Sequence, residues 1–293
     1  MTDITLLDGG MGQELIHRSG DNPTPLWSTQ VMIDNPGMVA DVHRDFAQAG
    51  ATLATANTYA IHRDRLAGTP LQDRFEELHA LALAEVRASG ATRVAGSIGP
   101  LGASYRPDLH PDIDTGAALY AEVAGLLAGH CDLLICESTA SLLHAASVLK
   151  GAASVKKPVW LAVTVDDLDG TRLRSGEPLA EVLPLARDGA QAILVNCATP
   201  EAISAAMPIL TQSGLPFGGY ANGFEKISDG FLEDKPTVDS LTLRRDLTPE
   251  RYADHVMRWV DAGATLVGGC CEVSPAHIAE IAQRLRKAGH AIV

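Results

Sequence analysis

AGATLVGGCC, residues 262–271, sets a small-residue turn, a short aliphatic run, a glycine pair and two adjacent cysteines in immediate succession. The turn phrase recurs as AGAT at 49–52 and as SGAT at 89–92, each time between a helical pattern and a short apolar run. One helix-to-strand connection used repeatedly is what quasi-equivalent αβ units require. Working outward from it, strand candidates fall at 4–7, 52–56, 93–98, 133–137, 159–163, 192–196, 216–221 and 265–269. A helical pattern follows each one, at 36–49, 71–88, 114–129, 140–150, 179–188, 200–213, 249–262 and 275–288. Strict βα alternation implies a parallel sheet with helices outside it. Eight such units in a chain of 293 residues favour an α/β fold of the (β/α)8 TIM-barrel type over an open doubly wound sheet.

Local punctuation supports these boundaries. Thr199-Pro200, Thr248-Pro249 and Ser274-Pro275 each put a capping hydroxyl before a proline suited to the first helical turn. Gly50, Gly90, Gly189, Gly214, Gly263 and Gly289 stand where helices should close. No low-complexity tract or linker divides the chain, so residues 1–293 are expected to form one domain. The connections 8–35 and 222–247 are longer than plain βα loops, and loops of that length on the catalytic face are usually substrate covers.

Composition narrows the class of function. The chain is 46% hydrophobic and only 4% aromatic, which provides a large aliphatic core. A formal charge of -13, with no basic cluster, argues against nucleic acid as a partner. Met1 to Leu7 lead straight into Asp8-Gly9-Gly10 without a signal-peptide pattern, and no apolar run is long enough to span a bilayer. A cytoplasmic protein acting on small molecules is the expectation; oligomeric state is not readable. Five cysteines, two of them adjacent, make a poor disulfide framework but suit thiolate chemistry in a reducing compartment.

Barrel enzymes carry their chemistry at the C-terminal ends of strands. Those ends here include Asp8, Tyr59, Glu137, Asn196-Cys197, Tyr220 and Cys270-Cys271. Cys197 closes the sixth strand and Cys270-Cys271 the eighth, so three thiolates can meet two strands apart. Neighbours on a strand point to opposite faces, so the adjacent pair can share one ion only if the backbone turns there, a freedom Gly268 and Gly269 would supply. Three sulfur ligands suit Zn²⁺ and leave room for a substrate thiol. The opposing reading is three buried packing cysteines. Cys136 should face the helix layer if Glu137 faces inward, and the histidines show no paired-ligand spacing.

With these residues in place the chain resembles the homocysteine S-methyltransferases. The likeness runs through DGGMGQEL (8–15), LWS (26–28), NPGMVADVHRDFAQAGA (35–51), ANTY (56–59), GSIGPLGASY (96–105), CEST (136–139), VNC (195–197) and GGCC (268–271). It implies a TIM barrel, zinc held by Cys197, Cys270 and Cys271, homocysteine as methyl acceptor, and an amino group held by Asp8 and Glu137. An ammonium delivered into a barrel mouth does need carboxylate partners, although Asp8 could simply order its own turn. Asn196 is either a partner near the metal or a strand-end hydrogen bonder. A sulfonium or quaternary ammonium donor would be drawn to aromatic faces, for which Trp27, Tyr59, Tyr105 and Tyr220 are the candidates. The resemblance favours S-methylmethionine or S-adenosylmethionine as donor. Betaine, a dimethylsulfonio compound or a corrinoid protein are alternatives, as the 222–247 segment departs from the S-methylmethionine branch. Two readings of other kinds are a non-catalytic zinc or thiol-ligand binding protein and a metal-free lyase with Glu137 as base.

Overall fold

The computed structural model describes residues 2–20, 27–228, 232 and 241–293. Its strands are β1 (Asp3–Leu6), β2 (Ala54–Thr55), β3 (Val94–Ile98), β4 (Leu133–Thr139), β5 (Val159–Val163), β6 (Ala192–Asn196), β7 (Phe217–Ala221), β8 (Leu266–Gly269) and β9 (Ala291–Ile292). The helices are α1 (Met11–Arg18), α2 (Trp27–Asp34), α3 (Met38–Ala49), α4 (Arg63–Leu66), α5 (Phe75–Ala88) and α6 (Ile113–Ala128). After them come α7 (Leu142–Ala152), α8 (Leu183–Gly189), α9 (Pro200–Leu210), α10 (Pro249–Asp261) and α11 (Pro275–Lys287). Together they form a single α/β domain around a curled parallel sheet ordered β2-β3-β4-β5-β6-β7-β8-β1-β9. Leu7, just past β1, pairs with Leu53, just before β2, in an isolated parallel bridge. There Asp8 N–H donates to Leu53 O at 3.2 Å and Thr52 N–H to Leu6 O at 2.7 Å.

The two-residue period of each strand sorts its side chains between two apolar layers. Leu7, Leu53, Ala95, Ile135, Ala162 and Leu194 pack together inside the curl. Leu134, Cys136, Leu161, Ile193, Val195 and Val267 join the helices in the larger outer cluster. Each buried Leu, Ile or Val among them contributes about 1.5–3 kcal/mol, so a packed floor lies beneath the strand ends. That alternation turns Glu137 inward and Cys136 outward, as expected.

Thr199 and Thr248 cap α9 and α10 by accepting the Ala202 and Arg251 N–H groups at 3.3 and 3.4 Å. Gly50, Gly90, Gly214, Gly263 and Gly289 take the left-handed conformation, whereas Gly189 is the last residue of α8 and does not. α1 and α2, which occupy much of the connection after β1, have no counterpart among the expected elements, nor do α4 and β9. No helix among the described residues is long and apolar enough to cross a membrane.

Candidate active site

Cys197, at the end of β6, and Cys270-Cys271, just past β8, converge. Their three Sγ atoms lie within 4.8 Å of one another, the one such grouping of three or more metal-binding side chains among the described residues. Cys197 Sγ is 3.8 Å from Cys271 Sγ and 2.6 Å from Cys270 Sγ. Tetrahedral zinc with Zn–S near 2.3 Å sets sulfur–sulfur edges of about 3.8 Å. One edge already fits and the Cys270 edge needs to open by about 1 Å, a side-chain adjustment. Hydrogen bonds from Cys270 and then Cys271 hold the Cys197 thiol well below its ordinary pKa. The same bonds to the Cys197 sulfur push Cys270 and Cys271 up. The three groups thus share their hydrogens through one sulfur, and a bound cation would displace the thiol protons.

The adjacent cysteines do share a face, but not for the reason expected of the glycine pair. Neither Gly268 nor Gly269 is left-handed; the positive φ angles are at Cys197 (52°) and Glu272 (65°). A turn closed by Val273 N–H on Cys270 O, at 3.1 Å, brings both sulfurs round. Gly269 makes room for that turn, and Gly268 for the chain at the end of β1. A Cβ on Gly269 would lie 2.1 Å from Val273 Cγ1, and one on Gly268 would lie 2.6 Å from Leu7 Cβ.

Asp8 and Glu137 line the same cleft as the three cysteines, a space of about 840 Å³ that also borders Thr55, Ser97 and Tyr220. The Asp8 carboxylate accepts the Thr55 N–H at 2.7 Å and the Thr55 hydroxyl at 2.8 Å. Glu137 accepts the Ser97 hydroxyl at 2.5 Å and the Tyr220 hydroxyl at 2.8 Å. Burial is the largest influence on both and pushes each up to about 7. His43 Nδ1 stands 4.0 Å from Asp8, but burial drives that imidazole down to about 3, so it is neutral and supplies no counter-charge. Held by the neutral donors of Thr55, Ser97 and Tyr220, the two carboxylates suit an incoming cation.

These shifts have a stability consequence. A carboxyl with a folded-state pKa near 7 and an unfolded value of 3.8 stabilises the fold below pH 4 and loses that contribution as pH rises through 7. Buried histidines titrate in the opposite sense, so the clean comparison is between Asp8→Asn and its parent. In metal-free, substrate-free protein, urea unfolding should show the variant gaining up to about 4 kcal/mol on the parent between pH 4 and 8. A pH-independent difference would mean that Asp8 is not protonated in the folded state.

Asn196 bonds Ser138 rather than a cysteine. Its Oδ1 accepts the Ser138 N–H at 2.9 Å and its Nδ2 donates to Ser138 Oγ at 3.1 Å. Ser138 sits at φ 53°, within the stretch where the β4–β5 register shifts, so Asn196 fixes the bulge that carries Glu137. Among the aromatic candidates, the Tyr59 hydroxyl meets Ser104 Oγ at 2.9 Å and Tyr105 Oη donates to Cys197 Sγ at 3.0 Å. Tyr220 is bound to Glu137, and the Trp27 side chain lies outside the described residues.

Two further features escaped the sequence reading. Gln13 Nε2, on α1, donates to Glu272 Oε1 at 2.6 Å, tying that helix to the turn after the cysteines. Ile227, Leu232 and Leu241, from the described parts of 222–247, pack against the Tyr105–Cys197 pair. The rest of that segment lies outside the described residues.

Comparison with known proteins finds relatives along nearly the whole chain. A family model described as homocysteine S-methyltransferase matches residues 5–285. The chain is 30% identical to the homocysteine S-methyltransferase of Escherichia coli strain K12, over 96% of this chain and 95% of that one. It is 25% identical to the selenocysteine Se-methyltransferase of Brassica oleracea, over 96% and 88% of the two chains. The crystal structure of the metallated form of the E. coli homocysteine methyltransferase MmuM superposes with a TM-score of 0.79 at 27% identity, covering 97% of this chain and 96% of the other.

Proposed function

This chain belongs to the homocysteine S-methyltransferase family, and on that premise we propose that it methylates the thiol of L-homocysteine at a zinc ion held by Cys197, Cys270 and Cys271, giving methionine. The observation that carries the reading is one cleft in which three converging sulfurs face two buried carboxylates. Soft sulfur donors select zinc among the common divalent ions, and three protein ligands are the number that leaves a position for substrate. The proposal includes a closed (β/α)8 barrel formed by residues 1–293, supported by the Leu7–Leu53 bridge and its flanking hydrogen bonds. The reading includes a cytoplasmic enzyme, supported by cysteines that must stay reduced to act as ligands.

Asp8 and Glu137 take the substrate ammonium between them. Thr55, Ser97 and Tyr220 hold those carboxylates in place while the ammonium, rather than a proton, neutralises them. Anchoring the amino end turns methyl transfer into an oriented encounter within one cleft. Tyr105 Oη steadies the Cys197 sulfur, and Ile227, Leu232 and Leu241 keep water from it. Zinc, when bound, supplies Lewis acidity that keeps the acceptor sulfur ionised at neutral pH. The homocysteine sulfur attacks the donor methyl carbon in line. A carbon–sulfur bond forms as the donor bond breaks, and its electron pair stays on the departing donor atom.

The donor assigned is a sulfonium, S-methylmethionine or S-adenosylmethionine, whose charge suits a cleft lined by Tyr59 and Tyr105. Metal-replete protein offered homocysteine with a panel of donors should form methionine fastest from one of these two. A preference for betaine, a dimethylsulfonio compound or a corrinoid protein would reassign the donor. Metal binding without turnover of any donor would make this a thiol-binding protein.

A further inference from the structure

Beside the cysteines lies a buried ion pair that the reaction as described does not use. Arg174 and Asp167 belong to the loop after β5, and their side chains are only 9% and 5% exposed. The guanidinium grips the carboxylate with two bonds, Nη1 to Oδ2 at 2.7 Å and Nη2 to Oδ1 at 2.9 Å. A buried pair of this kind is often no more stabilising than apolar residues of equal volume, so its place in the fold calls for a role beyond stability.

Arg174 Nε donates to Thr164 Oγ1 at 3.3 Å, whose hydroxyl in turn donates to the Cys197 carbonyl at 3.4 Å, and further contacts of the pair lead to the metal centre. Arg174 Nη2 also donates to the Cys197 carbonyl at 3.4 Å, and its guanidinium carbon lies 5.0 Å from the centre of the Tyr105 ring. Asp167 Oδ1 accepts the Thr199 N–H at 3.0 Å, just beyond Cys197 in the chain, and Oδ2 accepts the Ile227 N–H at 2.9 Å. Cys197 and Tyr105 both hold positive φ angles, 52° and 63°, which non-glycine residues keep only when their surroundings impose them. The pair thereby touches the backbone that aims the Cys197 sulfur, the ring whose hydroxyl bonds that sulfur, and the backbone of the apolar cover.

We propose that Arg174, clamped by Asp167, is a positioning residue of the metal centre that sets its affinity by fixing Cys197 and Tyr105. This rests on the metal-binding reading above. The test measures zinc affinity by chelator competition, and the visible spectrum of cobalt-substituted protein, on folded apo-protein. The variants are Arg174→Lys, which keeps the charge but loses the fork, and Arg174→Met/Asp167→Leu, which leaves no unpaired charge behind.

Both variants should bind zinc about 10- to 100-fold more weakly than the parent and shift the cobalt–thiolate bands. Either variant alone suffices if the other does not fold. Parent-like affinity and spectrum, with or without a lowered Tm, would reduce the pair to a structural strut and overturn the proposal. A parent protein that binds no metal would sink the metal reading as well, and so is distinguishable from failure of the brace alone.

Discussion

Cys270→Ser should leave a folded protein that neither retains metal nor transfers methyl groups. The serine hydroxyl stays protonated at neutral pH and is a hard donor, so two sulfurs remain where three are needed. Losing the ionising influence on the acceptor sulfur removes several kcal/mol of transition-state stabilisation, a fall in kcat/KM on the order of 10³-fold or more. Cys270 is only half-buried, so the apo fold should change in stability by about 1 kcal/mol or less. Metal content, Tm and methionine formation measured on one preparation separate these effects. A variant that retains full metal and activity would return Cys270 to the role of a packing residue.

Glu137→Gln should act on substrate capture. The amide keeps a partner for Ser97 or Tyr220 but no longer offers the ammonium a charge. Removing one side of a buried charge-assisted contact costs about 3–4 kcal/mol, which reads as a rise in KM of roughly 10²- to 10³-fold with a smaller change in kcat. The pH profile gives the sign independently. Burial sets both carboxyls near 7 in the free enzyme, so kcat/KM should climb from pH 6 to pH 8 as they ionise. The climb should be shallower in the variant, where only Asp8 still titrates. An unaltered KM would mean that the amino group is held elsewhere.

The contrast between Glu137 and Arg174 shows how much of this site is legible in sequence. Glu137 is found because a period of two on a short apolar run fixes which face it takes, and because strand ends are where such a sheet displays its chemistry. Cys197 and the 270–271 pair follow from the same rule. Arg174 and Asp167 stand in a loop with no period, and only a turn between them makes them partners. Gln13 meets Glu272 across nearly the whole chain, a contact set by tertiary packing and by no local pattern.

Two of the missed elements lack a local pattern as well. α2 carries no clear apolar stripe, and β9 is two residues long, too short for any periodicity to register. The glycine pair was located correctly but explained wrongly. Conformational freedom is a property of the residue, whereas the collision between a 269 side chain and Val273 exists only once the turn is built.

X-ray absorption at the metal edge of zinc-loaded protein, recorded before and after adding homocysteine, tests the central claim most directly. Three sulfur neighbours in the resting protein, rising to four with homocysteine and falling back to three once the donor has been turned over, is the predicted result. A sulfur count that stays the same when homocysteine binds would contradict the claim that the three cysteines form a centre for the acceptor thiol.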